Sequence, residues 1–285
     1  KPMAAFLAGS VFTFFQNRMG HALSGHLTQV AAWWFPLYLR YLLRTFDRPT
    51  KRNALLTGLF LALSLEIALV QTAYFVAPVT VLVLVYKLAT QRRRLNRRHV
   101  WASGLLFGLA ILSVLPTYGS FLWHAWRHSV ELAAPGTIDH SVDILALLLP
   151  SPYHPLWGNI VSRINALRRL FPEPNELEHT AFWGWIPLLL SLRAILRREK
   201  TASLWLIVGL ASLWLSLGPV LRIGGNITAI PQPYAFLMRI PFYRLGRTPE
   251  RFGELMTLSV SLLAAQGLAS LRWHRTVKAA LIGFT

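Results

Sequence analysis

Cysteine is absent from the chain. That excludes a disulfide frame, a thiolate metal site and a cysteine nucleophile, and it leaves the compartment open. Acidic residues are scarce, 11 against 29 Lys and Arg in 285 residues. Charged residues of both signs make up only 14% of the chain, where a soluble domain carries about 25%. The fingerprints GxGxxG, GxxxxGK[ST] and GxSxG are missing, which removes the usual nucleotide-binding and hydrolase readings. No HExxH and no carboxylate cluster accompany the histidines, so no metal motif is present. No internal repeat is visible.

Apolar residues fill the space that charge leaves. The chain is 54% hydrophobic, with eleven Trp and sixteen Phe, and its mean hydropathy is +0.44. This is the composition of a membrane protein. A span needs about 17–25 apolar residues. Segments near 3–16, 28–46, 54–70, 72–89, 100–118, 180–196, 202–219 and 254–271 qualify or nearly do, and a ninth begins near 277. The apolar block 54–89 is too long for one span and divides between Glu66 and Thr72. Backbone groups inside a bilayer must pair within the segment, so the spans are expected to be helices. The chain opens on Lys-Pro-Met-Ala and closes inside the apolar run VKAALIGFT. It therefore reads as an internal piece of a longer membrane protein, and its opening apolar run as a truncated span in preference to a signal peptide.

The net charge of +18 is unevenly spread. The links 40–53, 87–98, 193–200 and 271–278 hold most of the Lys and Arg, and they recur after every second span. The links 17–29, 66–72, 119–179 and 220–253 are poorer in basic residues for their length and hold most of the acids. This is the positive-inside alternation. It puts the basic links in the cytoplasm and the others outside, and it accounts for the charge as a topological and anionic-lipid signal. No nucleic-acid recognition motif supports the other reading.

The expected fold is all-α: a polytopic transmembrane helix bundle of about eight to nine spans with two long extracytoplasmic segments. The expected organisation is an N-terminal bundle over 1–118, an extracytoplasmic segment over 119–179, and a C-terminal bundle over 180–285 with an outer loop at 220–253. Within 119–179, the LALLLP run is too short to span and reads as an interfacial or re-entrant helix ended by Pro-Ser-Pro. The second outer segment mixes Gly, Pro, aromatics and arginines, as an interfacial belt does.

Four polar groups stand out against this background. NRMGHALSGHLTQ (17–29) sets His21 and His26 between apolar segments. Five residues apart, they would not share a helix face, though a loop would let them converge. They read either as headgroup-zone residues bonded to water and backbone, or as contacts to a metal or phosphate. RTPERFGELM (247–256) places Arg247 and Arg251 around Pro249, just before a span, with Arg239 and Arg244 nearby. A helix starting at Pro249 would present free N–H groups and its positive end to the outer surface, and arginine forks suit phosphate oxygens. The bland alternative is snorkelling to headgroups. Asp143 and His154 sit in the Pro-rich frame SVDILALLLPSPYHPLWG, preceded by His124, His128, Asp139 and His140. A carboxylate there suits a base, but no pair spacing is diagnostic. Glu66, near the end of an apolar span, is a functional hint by its depth, although interfacial exposure explains it equally.

Three stretches carry a resemblance. MGHALSGHLTQVAAWWFPLYLRYLL, DILALLLPSPYHPLWG and the late run LSLGPVLRIGG with IPQPYAFLMRIPFYRLGRTPERFGELMTLSVSLLAAQGLASL resemble segments of multi-spanning bacterial membrane proteins of the GT-C glycosyltransferase superfamily. The resemblance covers most of the chain, and its motifs are family-shaped without being catalytic signatures. It implies an enzyme of the bacterial cytoplasmic membrane that moves a sugar from a polyprenyl-phosphate carrier to an extracytoplasmic acceptor. It implies a catalytic carboxylate in the first outer loop, upstream of Lys1, so no catalytic residue is carried over. The expected partners are a lipid-linked sugar phosphate and membrane lipids, with no nucleic acid. No cofactor is identified; a divalent cation is left open without a ligand motif to support it. The expected substrate contacts are His21, His26, Arg247, Arg251, Asp143 and His154. Two alternatives stand beside the transferase: a transporter or flippase of lipid-linked glycans, and a non-enzymatic component of envelope assembly.

Overall fold

The structure, a computed structural model, describes residues 2–31, 33–67, 69–91, 97–127, 137–171, 179–240, 243, 248–272 and 275–283. It is mostly helical. Each of the nine apolar segments contains a helix: α1 (Pro2–Thr13), α4 (Trp34–Asp47), α5 (Lys51–Ile67), α6 (Leu69–Gln91), α7 (Arg97–Arg127), α10 (Trp185–Leu196), α11 (Ala202–Ser216), α13 (Gly253–Ser270) and α14 (Arg275–Gly283), with the shorter α2 (Gln16–Leu23), α3 (Leu27–Val30), α8 (Gly158–Arg163), α9 (Asn165–Arg168) and α12 (Tyr234–Leu237) between them. The division was expected between Glu66 and Thr72; α5 ends at Ile67 and α6 begins at Leu69, and the residue between them lies outside the described residues. Two stretches, Arg97–Ser120 and Pro249–Ser270, are long and apolar enough to cross a membrane. Four shorter apolar helices accompany them.

The chain forms two compact units, one of residues 1–26 with 134–285, the other of 27–133. In the second unit, α5 packs against both α4 and α7. The approach to α7 is close because residue 58 is glycine: a Cβ there would lie 2.9 Å from the Leu106 carbonyl oxygen. Polar side chains inside this unit are satisfied in pairs, Thr45 with Thr57 at 2.9 Å and Tyr38 with Thr80 at 2.6 Å. The long α7 leaves a run of large apolar side chains exposed, among them Phe107, Ile111, Leu112 and Leu115. An exposed apolar face of this kind marks a contact with a membrane or with other protein.

In the first unit, α13 is the central helix, packed against α1, α10 and α11. It has no polar face, and small residues let its neighbours come close. A Cβ on Gly267 would sit 1.9 Å from the Leu190 carbonyl oxygen of α10. Ser191 of α10 donates to the Val260 carbonyl at 3.1 Å. Leu7 and Val11 of α1 join Leu190, Ala264 and Leu268 in one apolar cluster.

The mostly helical structure agrees with the all-α expectation. The LALLLP run, expected as an interfacial or re-entrant helix, folds as a single 3-10 turn, Ile144–Leu147, because Pro150 and Pro152 deny it the residues a longer helix needs. One small hairpin accompanies the helices. Val220–Ile223 (β1) and Asn226–Pro231 (β2) pair antiparallel. Gly224 and Gly225 link them with φ of +64° and +82°, the left-handed pair that a two-residue hairpin turn of type I′ demands.

Candidate functional site

Several buried polar residues of the first unit meet at a short helix, α2 (Gln16–Leu23). Arg18 points inward and is 4% exposed. Its guanidinium pairs with the Glu254 carboxylate in the first turn of α13. A second nitrogen donates to the Phe12 carbonyl at 2.8 Å, and the guanidinium carbon lies 4.1 Å from the centre of the Phe12 ring. Its Nε has no hydrogen-bond partner among the described residues. A buried pair of this kind costs several kcal/mol per ion in desolvation and holds only while both partners remain.

The same helix is tied to the Pro-rich segment. Gln16 Nε2 donates to the buried Ser151 hydroxyl at 2.6 Å. Phe15 stacks on Trp183 at 5.8 Å, and Trp183 Nε1 donates to Thr257 Oγ1 at 2.8 Å. Stretches around residues 16, 151, 183 and 254 are thus drawn to one place. In front of α13, Pro249–Phe252 forms a 3-10 turn that runs directly into the helix. The Glu250 amide donates to the His140 carbonyl at 3.3 Å. Arg251 is half-buried in this turn.

His21 and His26 do come together, with ring centroids 5.3 Å apart and Nδ1 atoms 3.1 Å apart. The backbone explains how. At the end of α2, the Gly25 amide donates to the Ala22 carbonyl at 3.2 Å and the His26 amide to the His21 carbonyl at 2.9 Å. Gly25 takes φ +74°. This is the Schellman closure, in which a left-handed glycine folds the chain back and sets the residue after it against one in the last turn. His21 is buried and His26 exposed.

Asp143 is fully buried, and its carboxylate is occupied by backbone. One oxygen accepts from the Leu145 amide at 2.9 Å and the Gly224 amide at 3.2 Å; the other accepts from the Gly225 amide at 2.7 Å. It caps the 3-10 turn and anchors the hairpin at once. Arg222 lies beside it, with one nitrogen 3.5 Å from the Ile138 carbonyl. Burial pulls the Arg222 guanidinium below the usual arginine range, while Asp143 and Asp139 push it back up. His154 Nδ1 faces the amides of Leu156 and Trp157 at 3.2 and 3.3 Å, and so serves as their acceptor. Burial lowers its pKa, in keeping with a neutral ring. Its side of the segment continues into an aromatic group, Phe182, Trp185 and Trp157, packed edge to face.

Arg247 and Arg244 lie outside the described residues. Arg239 is exposed, its guanidinium over the Phe236 ring. His128 lies outside the described residues, and His124 is exposed on α7. Glu66 is half-buried, and its carbonyl accepts from the Tyr118 hydroxyl at 3.1 Å.

No family model, curated protein or solved structure matches this chain. The geometry therefore has to carry the functional reading. It adds residues that the sequence reading did not single out: Arg18, Glu254, Gln16 and Ser151. A signal for Arg18 was present, since it is an isolated charge against apolar sequence, whereas Glu254 stands close behind Glu250 and Arg251 and is not set apart by pattern. Among the described residues, no group of three or more His, Asp or Glu is arranged to hold a metal ion.

Proposed function

We propose that the chain is part of a multi-pass membrane glycosyltransferase that takes a sugar from a polyprenyl-phosphate carrier on the extracytoplasmic side of the cytoplasmic membrane. Eight to nine of its helices cross the bilayer, with the basic links in the cytoplasm. The observation that carries this reading is the joining of α2 to the start of α13 through Arg18 and Glu254. It brings the two segments richest in candidate headgroup contacts to one end of the unit. The carrier's tail lies among the helices, and its phosphate meets Arg251 at the turn that leads into α13, with Arg247 as a second contact proposed from the sequence. That turn offers the positive end of a helix as well as arginine donors. His26 and His154 are the further contacts to the sugar or its phosphate in this reading. Asp143 acts indirectly, by fixing the hairpin.

One observation favours the second reading, a flippase for lipid-linked glycans. An ion pair as deeply buried as Arg18 with Glu254 is a frequent mark of a transport path. Measurement of sugar transfer by the complete protein in detergent, where flipping has no meaning, separates the two. Arg251→Ala and Arg247→Ala are each expected to lower kcat/KM by about ten- to a hundredfold, the worth of a charged hydrogen bond. Unchanged kinetics in both variants would remove these arginines from the site. No transfer by the wild-type protein, together with carrier flipping in sealed vesicles, would replace the transferase by the flippase.

A further inference from the structure

The pair at the end of α2 has a geometry that a hydrogen bond alone does not require. We propose that His21 and His26 form a two-imidazole chelate for a divalent transition-metal ion of the Zn2+ class. The Nδ1 atoms face each other at 3.1 Å. Two imidazole nitrogens bound to one Zn2+ at about 2.0–2.1 Å in tetrahedral geometry lie about 3.4 Å apart, and neighbouring positions of an octahedral ion at the same bond length lie about 2.9 Å apart. The observed separation falls between these values. Rotation of the exposed His26 ring by a few tenths of an ångström admits the ion in place of the proton that the two nitrogens otherwise share.

The chelate is preformed by backbone. The Schellman closure at Gly25 sets the two residues against each other through main-chain hydrogen bonds that owe nothing to a ligand. His21 is 5% exposed, so packing holds its ring, while the exposed His26 leaves a path for entry. The ion would also sit at the C-terminal end of α2, where the carbonyl ends of the helix favour positive charge. No third His, Asp or Glu joins them among the described residues. Two protein ligands leave the remaining positions to water or to an anionic oxygen, which describes an open site instead of a closed structural one. Imidazole donors without thiolate or carboxylate select Zn2+, Cu2+ and Ni2+ over Mg2+ and Ca2+. This proposal goes beyond the transferase reading and does not need it, because its test reads metal binding and not turnover.

The test is a Zn2+ titration of the full chain in detergent, purified without a histidine tag, against a competing chromophoric chelator. Wild-type protein is expected to bind one Zn2+ per chain. His26→Asn is expected to weaken binding by at least the ~10–100-fold that loss of a mere outer-shell partner produces. Because His26 is exposed, this variant keeps its helix content, which circular dichroism checks. His21→Asn should show the same loss, and Mg2+ should fail to displace the Zn2+. Absence of Zn2+ binding by the wild type up to about 1 mM, or equal binding by wild type and His26→Asn, would overturn the proposal and leave the pair as a hydrogen bond only.

Discussion

Arg18 carries its charge to a place where 4% of the residue meets solvent. It survives there because Glu254 and the Phe12 carbonyl take its donors and the Phe12 ring covers one face. Removing either charge strands the other. Arg18→Met or Glu254→Leu alone is expected to destabilise the first unit by about 3–5 kcal/mol, whereas the double variant Arg18→Met/Glu254→Leu recovers most of that loss. Thermal unfolding in detergent, arranged as a double-mutant cycle, measures the coupling. Additive losses would mean that the two charges do not support each other. At this scale the sequence was only partly readable. It marked His21 and His26 as candidates, but the five-residue spacing argued against a shared helix face. The missing piece was Gly25: an unstrained left-handed glycine reverses the chain, so a spacing that separates two side chains on a helix joins them across its end. For Asp143 the residue type was visible and its partners were not. Its oxygens are filled by amides about eighty residues away in the chain, at Gly224 and Gly225, and no local pattern announces such a contact.

Elements were more legible than residues. Helices follow from long apolar runs, and all nine runs contain one. The hairpin escaped because its strands lie in a stretch already read as loop, and because the expectation was an all-helical chain. Its signal was nonetheless local: Gly224-Gly225 between VLRI and NITAIP, a glycine pair flanked by β-branched residues. Both Asp143 oxygens and the turn depend on this glycine pair. A Cβ on Gly225 would come 2.6 Å from the Arg169 carbonyl oxygen, and its φ of +82° already disfavours a side chain. Gly225→Ala is therefore expected to cost about 1–3 kcal/mol. Hydrogen exchange at the amides of β1 and β2 should rise with it, while exchange within α13 stays as it was. An unchanged hairpin would mean that Arg169 moves aside without loss, and that the turn is not held as tightly as its contacts imply.

At the scale of the whole molecule, the arrangement of charge along the chain makes a statement that the packing does not test. Two helices are long and apolar enough to cross a membrane, and the expected alternation of basic and non-basic links orders the remainder. If the positive-inside rule governs this chain, Arg52 at the start of α5 faces the cytoplasm and Leu156 in the Pro-rich segment faces outward. Both residues are exposed, Leu156 at 77%. The absence of native cysteine makes the experiment clean: Arg52→Cys and Leu156→Cys each carry one thiol. A membrane-impermeant maleimide added to intact cells should label the Leu156→Cys protein and leave Arg52→Cys untouched until the membrane is opened. Labelling of both from the same side would remove the shared outer face on which the carrier site depends. The buried pair of Arg18 and Glu254 would remain, because it rests on packing, but the arginines before α13 would then need a different ligand.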